Sequence, residues 1–172
     1  MKEIILFPPA TISKAALEEV IHCNEITLRY GLELSCEEAL DLIETRSRSL
    51  LSYGRIEFAG GVINKIILAF CNSPYLSHHN YAETLNDLLE TFYYYKNETL
   101  DEISDDELIT LMKDYFDHQC QGSIALLQNR ELELLARNVR YGVADYTKVT
   151  DGSKNDWMSY YFDEYYQEDK ND

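Results

Sequence analysis

Three arginines fall within ten residues of the segment TRSRSLLSYGRIEFAGG, which runs from Thr45 to Gly61. The chain as a whole has a formal net charge of −16, so this local excess of positive charge requires an explanation. Guanidinium groups bind carboxylates and phosphates through paired, charge-assisted hydrogen bonds. The segment therefore indicates either a site for an external anion or a joint at which the arginines neutralise the protein's own acids.

Helical periodicity separates the three arginines. On the second predicted helix, Arg46 falls within the apolar stripe and is expected to point towards the core. Arg48 lies on the polar side, four residues after Glu44, in the order that favours a surface ion pair. Arg55 lies beyond the end of that helix, beside the turn into the next one.

Arg46 needs an anionic partner, because an uncompensated buried charge costs about 3–5 kcal/mol. With 31 acidic residues in the chain, a carboxylate from a neighbouring segment is the expected partner. The alternative is a bound small anion or phosphometabolite, held by Arg46 and Arg55. Free N–H groups after Gly60 and Gly61, at the start of the next helix, would complete that site.

Other arrangements of reactive residues lack the spacing that their chemistry requires. The four histidines and four cysteines do not form a zinc pattern, and no calcium or carboxylate-iron motif occurs. Cys120 and His118 are close in sequence, but catalytic pairs are usually assembled across a fold. Gly60 and Gly61 belong to no phosphate-loop or dinucleotide motif. The sequence thus predicts no catalytic residue, metal or cofactor, and it favours a non-enzymatic protein.

The charge balance and the first residues restrict partners and location. An excess of 31 acids over 15 bases disfavours nucleic acids and anionic membrane surfaces, which would be repelled. The start MKEIILFPPATISK has four consecutive apolar residues. A secretion signal needs about 7–15 and a membrane span about 20. We therefore expect a cytoplasmic protein with reduced cysteines.

Apolar residues recur at three- and four-residue intervals from Ser13 to Tyr141, which predicts an all-α fold. We expect one compact domain of about six or seven helices in residues 1–142, with a peripheral extended segment at 1–12. The nearly all-apolar helix from Val62 to Cys71 is predicted to be central. The other predicted helices are Ser13–Arg29, Ser35 to about Gly54, Tyr81–Asn97, Asp105–Phe116, and a stretch after Ser123 that breaks near Asn129.

Three helix starts carry a capping signature, in which a serine or asparagine precedes a glutamate by three residues. The pairs are Ser35 with Glu38, Asn80 with Glu83, and Ser104 with Glu107. Each pair can satisfy backbone N–H groups that the first helical turn leaves free.

Aromatic residues suggest contact surfaces. In the run FYYYK, successive residues sweep around the helix, and Tyr94 is left on its polar side, where tyrosine suits a protein interface. Residues 143–172 form an acidic tail with more aromatics than disordered segments usually contain. We expect this tail to be partly ordered, with Trp157, Tyr161 and Tyr165 available to dock on the body, a second copy or a partner.

Several long strings resemble a family of small bacterial proteins known only as a domain of unknown function. They are RSRSLLSYGRIEFAGGVINKI, NYAETL, FYYYKNETLDEISDDELI and FDHQCQGS, and they span about Thr45 to Ser123. The resemblance implies a stand-alone bacterial cytoplasmic protein. It implies no activity, ligand or site residue.

Taken together, these features favour a protein–protein interaction or regulatory module, with self-association as one option. The alternative is the small-anion or phosphometabolite binder, or enzyme, built on Arg46, Arg55, Gly60 and Gly61. DNA mimicry by the acidic surface is a weaker third option, because the acids are spread among ordinary helix caps.

Overall fold

The computed structural model describes residues 9–142 of the chain, and these residues form helices and loops without a β-strand. The α-helices are α1 (Pro9–His22), α2 (Asn24–Thr27), α3 (Cys36–Tyr53), α4 (Gly61–Phe70), α5 (Tyr81–Glu98), α6 (Asp105–Asp114), α7 (Ile124–Leu126) and α8 (Leu132–Arg140). A 3₁₀ turn covers Leu28–Tyr30, and π-helical turns cover Tyr115–Gln119 and Leu127–Glu131. The predicted all-α single domain is confirmed. The predicted tail, 143–172, lies outside the described residues.

Helix α4 lies at the centre of the domain, as its composition predicts. Eight of its ten residues are buried, and it contacts α1, α2, α3, α5 and α6. The two longest helices, α3 and α5, pack along each other beside it. One apolar stripe of α5 is buried throughout, and it consists of Tyr81, Leu85, Leu88, Phe92 and Tyr95.

Two of the three predicted caps form. The Glu38 N–H donates to Ser35 Oγ at 3.1 Å, and the Ser35 N–H donates to Glu38 Oε1 at 3.0 Å. Ser104 caps α6 through its side chain. The cap predicted at Asn80 is wrong, because its Oδ1 accepts the N–H of Ser77 at 2.8 Å instead. The preceding loop therefore competes successfully for the asparagine side chain.

The first helix differs from its predicted bounds of Ser13–Arg29. It begins at Pro9, so the extended segment predicted for 1–12 is wrong for residues 9–12. Proline is compatible with a first helical turn, where its missing N–H would have had no partner. The helix also ends earlier than predicted, at His22.

Asn24 fastens the loop that leads into α3. Its Nδ2 donates to the Leu34 carbonyl and its Oδ1 accepts the Leu34 N–H, both at 2.9 Å. Thr27 Oγ1 adds a bond to the Leu32 carbonyl at 2.8 Å. These bonds place Ser35 where it caps α3, and they thereby set the position of the helix that carries Arg46.

The break predicted near Asn129 is a π-helical turn, Leu127–Glu131, rather than an end of the helix. A π turn widens the helix by one residue, so side chains five apart share a face. Leu127 and Leu132 are both fully buried as a result. The turn thus explains why the α-helical apolar spacing fails at Glu131 and restarts one residue later.

Replacing Asn24 with alanine removes both bonds to Leu34 and leaves a largely buried N–H and carbonyl without partners. We expect the free energy of unfolding to fall by about 2–3 kcal/mol. Urea denaturation measures the change. Glu33→Ala, on the exposed part of the same loop, is the control and should change it by less than about 0.5 kcal/mol. Equal effects of the two substitutions would contradict the role of Asn24.

Candidate functional site

Arg46 lies inside the protein, with 3% of its surface exposed. Its Nη1 donates to the Gly60 carbonyl at 2.8 Å and lies 4.0 Å from Glu57 Oε1. The expectation that a carboxylate of the protein faces Arg46 is confirmed, and that carboxylate belongs to Glu57. The arginine therefore ties α3 to the loop that precedes α4.

Glu57 makes three kinds of contact from this loop. Besides facing Arg46, its Oε1 accepts the N–H of Val62 at 3.0 Å, in the first turn of α4. Its Oε2 accepts a hydrogen bond from the Tyr93 hydroxyl on α5. Burial raises the pKa of Tyr93, and the nearby Glu57 carboxylate raises it further. The hydroxyl therefore stays protonated and donates a hydrogen bond to Glu57. One side chain thus connects α3, α4 and α5.

Gly60 and Gly61 allow a close approach to the backbone, but the approaching groups belong to the protein. Gly61 has φ +50°, and a Cβ there would lie 2.5 Å from Glu57 Oε1. A Cβ on Gly60 would lie 2.2 Å from the Asn64 side chain. The Gly60 N–H donates to Glu19 Oε2 at 2.7 Å. Two N–H groups at this helix start, those of Gly60 and Val62, are therefore bonded to the carboxylates of Glu19 and Glu57.

Arg55 uses a different set of acids from Arg46. Its Nη1 lies 2.5 Å from Asp101 Oδ1, and its Nη2 lies 3.9 Å from Asp105 Oδ1. Lys96 shares Asp105 at 2.9 Å and also donates to the Ile103 carbonyl. Of the residues predicted as an anion site, Arg46, Arg55 and Gly60 thus bond to other segments of the chain, and Gly61 lies against Glu57.

These inward-facing charges leave an apolar surface outside. From residue 55 to residue 58 exposure alternates, and the partly buried Arg55 and Glu57 are turned inwards. Ile56 and Phe58 point to solvent and are 82% and 81% exposed. We call these two residues the apolar ridge. Sequence reasoning missed it, although the alternating pattern R-I-E-F was the readable signal.

Further exposed apolar residues and acids lie at the same end of the molecule. Leu51, in the last turn of α3, is largely exposed. Leu100 is also exposed, and it precedes Asp101, which contacts Arg55 next to the ridge. Asp101 and the neighbouring Glu102 are both exposed. Asp101 is paired with Arg55, so Glu102 is the acid that contributes negative charge at this border of the apolar ridge.

Arg48 does not form the ion pair predicted with Glu44. Among the described residues no carboxylate lies within 4.0 Å of it, and its Nη2 donates to Thr45 Oγ1 at 3.4 Å. Arg48 instead lines a cavity of about 670 Å³ between α3, α5 and the segment from Gln128 to Arg137. Tyr94, the predicted interface residue, is 46% exposed and lies in the wall of this cavity. The other predicted interface residues, Trp157, Tyr161 and Tyr165, lie outside the described part of the chain.

The thiol and imidazole groups are not assembled into a reactive site within residues 14–142. Cys120 is buried, and burial raises the pKa of its thiol. His118 turns towards Asp114, 3.7 Å away, and His78 and His79 pack against each other. No group of three or more metal-ligating side chains occurs in the described residues. Within the same part of the chain, no helix has the length and apolar character needed to cross a membrane.

Arg46 and Arg48 form a matched pair for mutagenesis, two positions apart on one helix. We expect Arg46→Met to lower the free energy of unfolding by about 3 kcal/mol or more, because Glu57 and the Gly60 carbonyl lose their buried cation. Arg48→Met should change it by less than about 0.5 kcal/mol. Urea denaturation of both variants checks this. Similar values for the two variants would mean that Arg46 is not the joint.

Comparison with known proteins identifies a family but no function. A model of a family of unknown function, DUF6323, matches residues 19–145, from within α1 to just beyond α8. No curated protein and no solved structure matches the chain. The family match covers every segment of the Arg46 joint, the apolar ridge and the cavity, and it spans well over half of the 172 residues. The chain therefore belongs to DUF6323, a family of unknown function.

Proposed function

We propose that this protein is a non-enzymatic binding module that docks a basic, amphipathic segment of a partner protein onto the apolar ridge. The observation that carries the proposal is the exposure of Ile56 and Phe58, each above four fifths, on a segment whose charged residues point inwards. Large exposed apolar side chains held in a fixed arrangement are typical of protein-binding surfaces.

The ridge cannot be hidden by a small rearrangement of its own segment. Ile56 and Phe58 alternate with Arg55 and Glu57 along the segment, so turning the apolar pair inwards would turn the charged pair outwards. That rotation would break the contact of Arg55 with Asp101 and remove the buried counter-charge of Arg46. The ion pairs therefore hold the apolar residues in solvent, where a partner can cover them.

Charge decides which kind of partner is favoured. Glu102 is exposed and directly follows Asp101, the ion-pair partner of Arg55, and the whole chain carries a net charge of −16. A second copy of the chain would be repelled at long range, whereas a basic segment would be attracted. We therefore favour a basic partner over self-association.

The cellular setting and the absence of an external anion at Arg46 are two further parts of the proposal. All four cysteines are free, which supports a reducing, cytoplasmic setting, and the sequence resemblance supports a bacterial one. The alternative, an external anion at Arg46, Arg55, Gly60 and Gly61, gains no support from their contacts. Its donors already serve Glu19, Glu57, Asp101 and Asp105.

The ridge can be tested with a labelled helical peptide of leucine and lysine and with its leucine–glutamate counterpart. We expect the full-length protein to bind the lysine peptide at least about tenfold more tightly than the glutamate peptide. The double substitution Ile56→Ser and Phe58→Ser should weaken that binding by about tenfold or more, because it removes both anchors. Fluorescence anisotropy at about 0.15 M salt measures both affinities.

Leu134→Ser, at an exposed leucine on α8, is the matched control and should leave the affinity unchanged. Urea denaturation of the double variant should give wild-type stability, since both residues are exposed. Equal binding by the wild-type and double-variant proteins would refute the ridge as the docking surface. Equal affinity for the two peptides would refute the basic partner.

A further inference from the structure

We propose that the cavity between α3, α5 and the Gln128–Arg137 segment binds a small, hydroxyl-rich molecule that carries one anionic group. Arg48 is assigned as the partner of that anionic group. The lining of this site includes neither residue of the apolar ridge and none of the residues that were predicted to bind an anion from the sequence.

Arg48 is available to a ligand because the protein uses it very little. Its one hydrogen bond within the described residues, to Thr45 Oγ1, is long at 3.4 Å. The Thr45 hydroxyl already donates to Asn86 Oδ1 at 2.7 Å, so it can serve Arg48 only as an acceptor. A guanidinium has five N–H donors in a planar fork, and most of those on Arg48 remain free to bind a carboxylate or phosphate.

The opposite wall of the cavity is held in place by hydrogen bonds across helices. The Tyr95 hydroxyl on α5 donates to the Gln128 carbonyl, which belongs to the π-helical turn. Gln128 Nε2 donates back to Thr91 Oγ1 on α5 at 2.7 Å. These bonds give the polar groups of the wall partners within the protein and fix the shape of the wall. π-helical turns are also frequent at functional sites.

The rest of the lining offers neutral hydrogen-bonding groups. Hydroxyl and amide groups come from Ser49, Ser52, Tyr53, Tyr94 and Asn129. Burial raises the pKa of Tyr53, and the nearby Tyr94 and Glu98 add smaller increases. The Tyr53 hydroxyl therefore stays protonated at neutral pH. A surface of this composition matches a polar ligand with several hydroxyl groups rather than an apolar one.

The charges in the cavity indicate how many anionic groups the ligand carries. Arg137 is paired with Glu133, with 3.4 Å between Nε and Oε1, and these two charges offset each other. The other two charged side chains of the lining are Arg48 and Glu90, so the lining has no net formal charge. Arg48 can bind one anionic group, and Glu90 can accept hydrogen bonds from ligand hydroxyls. The volume of about 670 Å³ lies within the range of about 300–1,000 Å³ that is usual for small-molecule sites.

The test is an NMR titration of the ¹⁵N-labelled full-length protein with glucose 6-phosphate and with glucuronate. We expect at least one of these sugar anions to shift amide signals of residues 48–53 and 128–133. Neutral glucose and inorganic phosphate should each bind at least about tenfold more weakly, because each lacks one half of the recognised chemistry. A preference between the two sugar anions would identify phosphate or carboxylate as the favoured group.

Arg48→Met should weaken binding by about tenfold or more. The amide signals of residues outside the cavity should stay at their wild-type positions, which shows that the fold is unchanged. Arg29→Met is the matched control, because Arg29 is exposed, lies in the 3₁₀ turn Leu28–Tyr30 and does not line the cavity. That variant should bind as the wild type does. The proposal is overturned if neither sugar anion shifts the cavity amides at about 10 mM, a concentration that would nearly saturate a site of millimolar affinity. It is also overturned if Arg48→Met binds as tightly as the wild type.

Discussion

The burial of Arg46 is the constraint on which the rest of the domain depends. A guanidinium this deep in a helical domain must have its charge neutralised nearby, since leaving it unpaired costs several kcal/mol. The chain meets this requirement by folding the loop after α3 back over the arginine, so that Glu57 and the Gly60 carbonyl face it. The same loop path sets the first turn of α4, the central helix, through the bond from Val62 to Glu57.

The ridge and the joint are two faces of one segment. Exposure alternates from Arg55 to Phe58, so Arg55 and Glu57 lie inwards while Ile56 and Phe58 lie outwards. The glycines that follow have no side chain to obstruct Glu57 and Asn64, and the positive φ of Gly61 suits glycine best. Residues that resemble a ligand-binding motif in the sequence therefore serve the fold, and the surface left over is the one that we assign to a partner.

The three arginines between Thr45 and Gly61 differ in what satisfies them. Arg46 is neutralised inside the protein, Arg55 is neutralised near the surface by Asp101 and Asp105, and Arg48 is left with a hydroxyl contact. Buried pairs are costly to break, whereas exposed pairs contribute little. It follows that Arg46 stabilises the fold, whereas Arg48 is available to bind a ligand.

Much of this arrangement could be predicted from the sequence, because it depends on local periodicity. The inward direction of Arg46, the central position of α4 and the caps at Ser35 and Ser104 all follow from spacing within one helix. The identity of the partner of Arg46 could not be predicted, because Glu57 reaches it only through the fold of the intervening loop. Asn80 was misassigned because a loop N–H competes for its side chain, a contact that the capping pattern does not contain. The cavity was missed because its walls come from three segments whose separation depends on packing, and its π-helical turn appears in the sequence only as a failure of the apolar register.

A double-mutant cycle on Arg46 and Glu57 tests the central claim most directly. The free energies of unfolding of the wild type, Arg46→Met, Glu57→Gln and the double variant give the coupling between the two side chains. If the loop is held by this pair, the coupling energy should be about 2 kcal/mol, with the double variant much less destabilised than the sum of the single variants. A coupling energy below about 0.5 kcal/mol would show that the two side chains act independently and would contradict the dependence of the fold on this pair.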